Sequence, residues 1–267
     1  MHFHPYVGHL LLTLVGSWSW FAHIAIGAPQ CSQGDVSNCL EDVFDIFTDG
    51  DEFRNDRIVV VRNDILGKKA RDCASLNVIY ARGTLEPGNV GLLTGPPFFS
   101  ALAEHLNNTN LLGIQGFNYQ ALIPGFINNG TVKDATKMAR LVTQIIENCP
   151  DSYLLLSGYS QGAQLVHRAV EMLEPSVSAS IDVVVLFGDP MNGTVLPGID
   201  SAKVMSLCHQ DDMVCRGQGV YGVGPAHLTY RQDAQTAAMF TLSSMSDLGI
   251  SSESLSQLAE MANKGIS

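Results

Sequence analysis

Residues 153–165 read YLLLSGYSQGAQL: an apolar run breaks at Gly158, places a serine at 160 between two glycines, and continues with helical spacing through QGAQLVHRAVEML. A strand that runs straight into a helix through G-x-S-x-G must bend sharply at the middle residue, and the flanking glycines remove side chains that would strike the strand or the helix. The pattern predicts a buried strand, a tight turn with Ser160 exposed at its tip, and a following helix. The first backbone N–H groups of that helix, notably that of Gln161, face any negative charge that develops beside the hydroxyl. Ser160 therefore has the setting of a nucleophile. A plain surface serine in a tight connection is the competing reading, and the apolar run before it and the amphipathic pattern after it weigh against that.

Two further apolar runs, LNVIYARG at 76–83 and IDVVVLFGD at 181–189, end in Gly or Asp turns and read as buried strands. Between them, PPFFSALAEHLNN sets Phe98, Ala101, Leu102 and His105 at helical spacing, and VKDATKMARLVTQIIENC does likewise. Strand and helix in alternation predict an α/β fold, a three-layer α/β/α sandwich around a mainly parallel sheet, with ligands at the carboxyl ends of the strands.

The chain has 267 residues, 46% of them hydrophobic, enough for one sizeable core. With 15 Lys plus Arg and a formal net charge of -11, it lacks the basic footprint that nucleic acid or anionic lipid requires. A neutral or apolar substrate suits it better. Residues 1–28 contain no Asp, Glu, Lys or Arg and turn apolar from Leu10, which reads as a secretory signal ending near Gly27 or Ala28, with an uncleaved anchor as the competing reading. The acidic stretch 29–61 reads as an N-terminal extension, 62–240 as the folded domain, and 241–267 as a helical tail.

All six cysteines, Cys31, Cys39, Cys73, Cys149, Cys208 and Cys215, follow the signal, and an oxidising destination makes disulfides the expectation. No C-x-x-C or H-x-x-x-H spacing points to a metal, and none is expected. Asn107, Asn129 and Asn192 open N-x-S/T glycosylation sequons.

A serine hydroxyl is a weak nucleophile and needs a base, which in turn needs an orienting acid. After the signal there are four histidines. His105 and His167 lie inside amphipathic helices and read as packing residues. His209 stands beside two acids and competes with His227, which follows a glycine-rich loop in GVGPAHLTY and precedes an apparent helix, LTYRQDAQTAAMF, and so reads as mobile and accessible. The chain order nucleophile, acid, histidine favours His227. For the acid, Asp189, Asp211 and Asp212 all satisfy that order. Asp189 before Pro190 reads as a turn acid, and a Cys208–Cys215 loop would hold the other two.

The segments CASLNVIYARGTLEPGN, CPDSYLLLSGYSQGAQL, VVLFGDP, CHQDDMVC and HLTY, in that order, resemble the fungal cutinases, compact serine esterases of the α/β-hydrolase group. The resemblance covers about 62–240. It implies Ser160 as nucleophile, Asp212 as acid, His227 as base, and an oxyanion hole from the N–H of Gln161 and from Thr84, where cutinases commonly carry serine. It also implies disulfides Cys73–Cys149 and Cys208–Cys215, leaving Cys31 with Cys39 as an additional pair. The expected protein is a secreted, monomeric serine esterase for cutin-type polyesters and short- to medium-chain acyl esters, without cofactor, nucleic-acid partner or membrane span after signal removal. Leu122, Ile123 and Phe126, with Val220, Tyr221 and Val223, are candidate rim residues. Alternatives are an acetylxylan-type carbohydrate esterase and a non-catalytic secreted surface-binding protein of the same fold.

Overall fold

The computed structural model describes residues 58–69, 72–106, 111–218 and 223–245. The expected signal, Cys31, Cys39, Asn107, Val220, Tyr221 and the tail beyond 245 lie outside the described residues. The run VVVLF forms a strand whose alternate side chains are buried on opposite faces: Val183, Val185 and Phe187 join one apolar cluster, Val184 and Leu186 the other. A strand covered on both sides needs apolar residues throughout, so it reads as a continuous run rather than an alternating one.

Five strands, β1 (Leu76–Ala81), β2 (Leu112–Gly116), β3 (Tyr153–Tyr159), β4 (Val183–Phe187) and β5 (Val204–Leu207), form one sheet in the order β2-β1-β3-β4-β5, every pair parallel. Among the described residues six α-helices accompany them: α1 (Gly95–His105), α2 (Ile123–Ile127), α3 (Val132–Asn148), α4 (Gln161–Val170), α5 (Pro175–Ala179) and α6 (Ala234–Ser243). Helices α1 and α6 supply Phe98, Leu102, Ala237 and Leu242 to one cluster, while α3 and α4 supply Met138, Val142, Leu165 and Val166 to the other. This is the expected three-layer α/β/α arrangement. No helix among the described residues is long and apolar enough to cross a membrane.

Sequence patterning missed β2 and β5. Three of the five residues of the β2 stretch LGIQG are glycine or glutamine, yet it pairs along β1, and the glycines admit close neighbours: a Cβ at Gly113 would lie 3.0 Å from Asn77 Oδ1 and one at Gly116 2.3 Å from Asn89 Oδ1. Its outer edge is covered by residues 62–64: Asp64 N–H donates to the Ile114 carbonyl and Gly116 N–H to that of Arg62, an antiparallel contact that leaves this edge closed to further pairing. Before it, Asn89 and Val90 donate to the Val60 carbonyl, and Met245 is buried at the other end, so packing extends slightly past 62–240. The helix expected over 228–240 starts only at Ala234, because Pro225–Leu228 and Tyr230–Asp233 form tighter 3-10 turns.

Register aligns the strand ends. Ala81 pairs with Gly158, Tyr159 with Phe187, and Phe187 with Leu207, so the chain leaves β1, β3, β4 and β5 at nearly one level. Among the described residues two disulfides are formed, Cys73–Cys149 and Cys208–Cys215. The first closes a separation of 76 residues and ties the approach to β1 to the end of α3. Replacing both of its cysteines by alanine is expected to cost about 4 kcal/mol, mainly by freeing the unfolded chain, measurable as a lowered denaturation midpoint.

Candidate active site

Ser160 sits where β3 becomes α4, with φ 56° and ψ -119°. A non-glycine residue in that region costs roughly 1–3 kcal/mol and persists only where its surroundings enforce it. Here they do. A Cβ on Gly162 would lie 2.0 Å from the Ala81 carbonyl oxygen, and one on Gly158 2.5 Å from the Gly162 carbonyl carbon, so both glycines permit the close crossing of strand and helix. Ser160 N–H donates to the Phe187 carbonyl at 2.9 Å, fixing the bend to β4.

His227 Nε2 lies 2.9 Å from Ser160 Oγ, and His227 Nδ1 lies 2.8 Å from Asp212 Oδ2. The three residues come from the ends of β3 and β5 and from the turn Pro225–Leu228, separated by up to 67 positions. Contrary to the expectation of an exposed serine and an accessible histidine, Ser160 is 6% and His227 2% exposed. The reason lies in what packs around them. Tyr159 stacks on the imidazole at 5.2 Å and donates its hydroxyl to the His227 carbonyl at 2.7 Å, and Gly188, at φ 54°, would bring a Cβ within 2.8 Å of the ring.

Asp212 is wholly buried. Its Oδ1 accepts the Val214 N–H at 2.9 Å, and its Oδ2 accepts the Tyr230 hydroxyl at 2.7 Å besides the His227 contact. Burial by itself raises the carboxyl pKa, but the His227 hydrogen bond and charge, the Tyr230 hydroxyl and the Val214 N–H outweigh it and hold the group below its ordinary value. Asp212 is thus an anion supplied with a donor on every side.

The remaining candidates are engaged elsewhere. Asp189 meets His167 Nε2 at 2.8 Å and accepts the Met191 N–H, a buried pair joining the loop after β4 to helix α4. His209 faces the Ala226 carbonyl through Nδ1 and Asp233 through Nε2. His105 meets Gln235 at 2.7 Å. Asp211 is exposed, as are Asn129 and Asn192.

Thr84 and Gln161 face each other across the mouth. The Gln161 amide donates to the Leu122 carbonyl at 3.2 Å, which turns its Oε1 toward the Thr84 hydroxyl at 3.1 Å, so that hydroxyl donates to Gln161. The loop carrying Thr84 is tied down by Glu86, whose carboxylate accepts the N–H groups of Gly83, Leu92 and Leu93. Leu122, Ile123 and Val223 are exposed as a rim would be, and Phe126 is half-buried. Leu85 was not anticipated: it is 62% exposed at φ 63°, and its N–H donates to the Ala121 carbonyl at 2.8 Å, where Ala121 is itself at φ 51°. The sequence carries no sign of this, since leucine and alanine at positive φ have no composition signature.

The family model described as cutinase matches residues 72–245. Cutinase pbc1 of Pyrenopeziza brassicae is 44% identical over 169 residues, which is 63% of this chain and 82% of that protein. Cutinase cut1 of Trichoderma harzianum is 42% identical over 177 residues, covering 66% and 70%. Among solved structures, Trichoderma reesei cutinase in complex with a C11Y4 phosphonate inhibitor aligns with a TM-score of 0.63 at 32% identity, over 87% of this chain and 98% of that one. An acetylxylan esterase aligns with a TM-score of 0.50 at 19% identity, over 66% and 100%, a likeness of fold alone.

Proposed function

The chain belongs to the cutinase family, and on that premise we propose that it is a secreted serine esterase in which Ser160 is the nucleophile, His227 the base and Asp212 its orienting acid. The observation that carries this is the unbroken hydrogen-bonded run from Ser160 Oγ through both nitrogens of His227 to Asp212, built at the carboxyl ends of the strands. As Oγ bonds to the ester carbonyl carbon, its proton passes to His227 Nε2, and the imidazolium formed is stabilised by the Asp212 anion. The carbonyl oxygen becomes an oxyanion facing the N–H of Gln161 at the start of α4 and that of Thr84. Collapse breaks the bond to the alcohol, which takes the proton from His227, and water then releases the acid by the same steps in reverse.

The Thr84 hydroxyl, donating to Gln161 Oε1, must rotate to serve the oxyanion. The rim of Leu85, Leu122, Ile123 and Val223 suits an acyl chain or a polyester of hydroxy fatty acids better than an acetylated polysaccharide, whose hydroxyls would meet few partners there. Two disulfides favour an oxidising, extracellular destination.

The deciding experiment compares p-nitrophenyl esters from acetate to palmitate, cutin and acetylated xylan, alongside a fluorophosphonate probe that marks an activated serine. Cutin release, preference for short to medium chains and one probe per chain at Ser160 are expected. Deacetylation of xylan faster than any acyl ester would overturn the substrate assignment, and ester cleavage with Ser160 unmarked would overturn the mechanism.

A further inference from the structure

Three residues beyond His227, Tyr230 is 1% exposed and has no route to a substrate, yet its hydroxyl meets the carboxylate oxygen that also receives His227. The direction of that bond follows from what each partner can do. The His209 backbone N–H lies 3.0 Å from the same hydroxyl oxygen and can only donate, while the Asp212 anion at 2.7 Å and the disulfide sulfur of Cys215 at 3.5 Å can only accept, so the hydroxyl directs its hydrogen at the nearer and far stronger acceptor, Asp212. We propose that Tyr230 is a positioning residue for the acid: its hydroxyl holds Asp212 Oδ2 in line with His227 Nδ1 and shares the carboxylate's charge. This rests on the assignment of Ser160, His227 and Asp212 to ester hydrolysis.

The ring that carries the hydroxyl is itself clamped. Tyr230 stacks face to face on His209 at 4.0 Å and 15°, and meets Phe187 edge-on at 6.4 Å and 71°. His209 is pinned in turn by Asp233 at 2.7 Å and by the carbonyl of Ala226 at 2.8 Å. Ala226 adjoins His227, so one imidazole fixes both the loop that carries the base and the ring that holds the acid. The ionisable groups facing this cluster are His227, His209, Asp233 and the Tyr159 hydroxyl. Burial and the Asp212 bond push the Tyr230 hydroxyl above its ordinary pKa, so it stays a neutral donor throughout the working range.

Sharing Asp212 has a catalytic consequence. A donor on the carboxylate lowers its affinity for a proton, so the proton taken from Ser160 remains on His227, ready for the leaving alcohol. Without that donor, the less compensated anion holds a proton on His227 more tightly, and the free enzyme is inactivated by protonation at a higher pH.

The test is Tyr230→Phe, which keeps the stacked ring and removes only the hydroxyl. Expected are kcat lowered about tenfold, KM unchanged, and the acid limb of kcat/KM moved up by roughly half a pH unit. Incorporation of 3-fluorotyrosine at position 230, a stronger donor of nearly the same shape, should move that limb the other way; this arm decides the matter should the phenylalanine variant fail to fold. Unmoved acid limbs, with fluorophosphonate still marking Ser160 in the parent protein, would overturn the role of Tyr230 and leave the esterase assignment intact. Loss of marking in the parent itself would instead strike the assignment.

Discussion

Ser160→Ala is expected to lower kcat by about 10⁶-fold while leaving the fold intact. The size of the effect follows from the unit being interdependent: with Oγ gone, His227 Nε2 has no proton to take, and the Gln161 and Thr84 N–H groups face a carbonyl that no nucleophile attacks. The substitution should be mildly stabilising, because alanine spares the hydroxyl its near-complete burial, though it keeps the strained φ of 56°. Turnover of a p-nitrophenyl ester together with thermal unfolding checks both halves. Turnover within tenfold of the parent would mean that the ester is cleaved elsewhere.

Asp212→Asn is expected to cost about 10⁴-fold in kcat through the wrong imidazole tautomer. The geometry explains why an amide cannot substitute. Asp212 meets three donors, His227 Nδ1–H, the Tyr230 hydroxyl and the Val214 N–H, and an amide has only one acceptor oxygen for its two positions. With that oxygen toward His227, the NH₂ group confronts the Val214 N–H. Reversed, the NH₂ donates to Nδ1, which drives the proton to Nε2 and leaves nothing to accept from Ser160. Stability should show a pH signature as well. The folded-state pKa of Asp212 is depressed, so its contribution is complete above the unfolded value of about 3.9 and is lost as pH falls through the lower folded value. The stability gap between parent and variant should therefore be present at neutral pH and close below about pH 4. A gap that persists unchanged into acid would show that the carboxylate's ionisation does not stabilise the fold.

The legible elements were those whose local pattern has one low-energy outcome. The run VVVLF has to be buried on both faces, and GYSQG after an apolar strand has to turn, because only glycine survives a Cβ approach of 2.0 Å at position 162. By contrast β2 was hidden. Its glycines are set by Asn77 and Asn89 on neighbouring segments, and no local property of LGIQG reports on a strand supplied from elsewhere.

Within the candidate site, the serine was marked by its own pentapeptide, whereas residues and chain order left Asp189, Asp211 and Asp212 open and family resemblance was needed to choose. Asp189 and Asp212 both end up buried beside a histidine, at 2.8 Å in each case, and differ only in which histidine reaches them. That is a property of how loops from separate strands cross, and so is the role of Tyr230, which depends on a backbone N–H from the end of β5.

The sequence by itself determined the layers, the sharp bend at Ser160 and the chemical types available, since hydrophobic periodicity and glycine sterics act over a few residues. Only the tertiary structure decided which acid and which histidine come within hydrogen-bond reach of each other and of Ser160, how far the hydroxyl is shielded, and where the Thr84 proton points. Those outcomes depend on groups up to 77 positions apart meeting within about 3 Å, and no short-range preference encodes a distance of that kind.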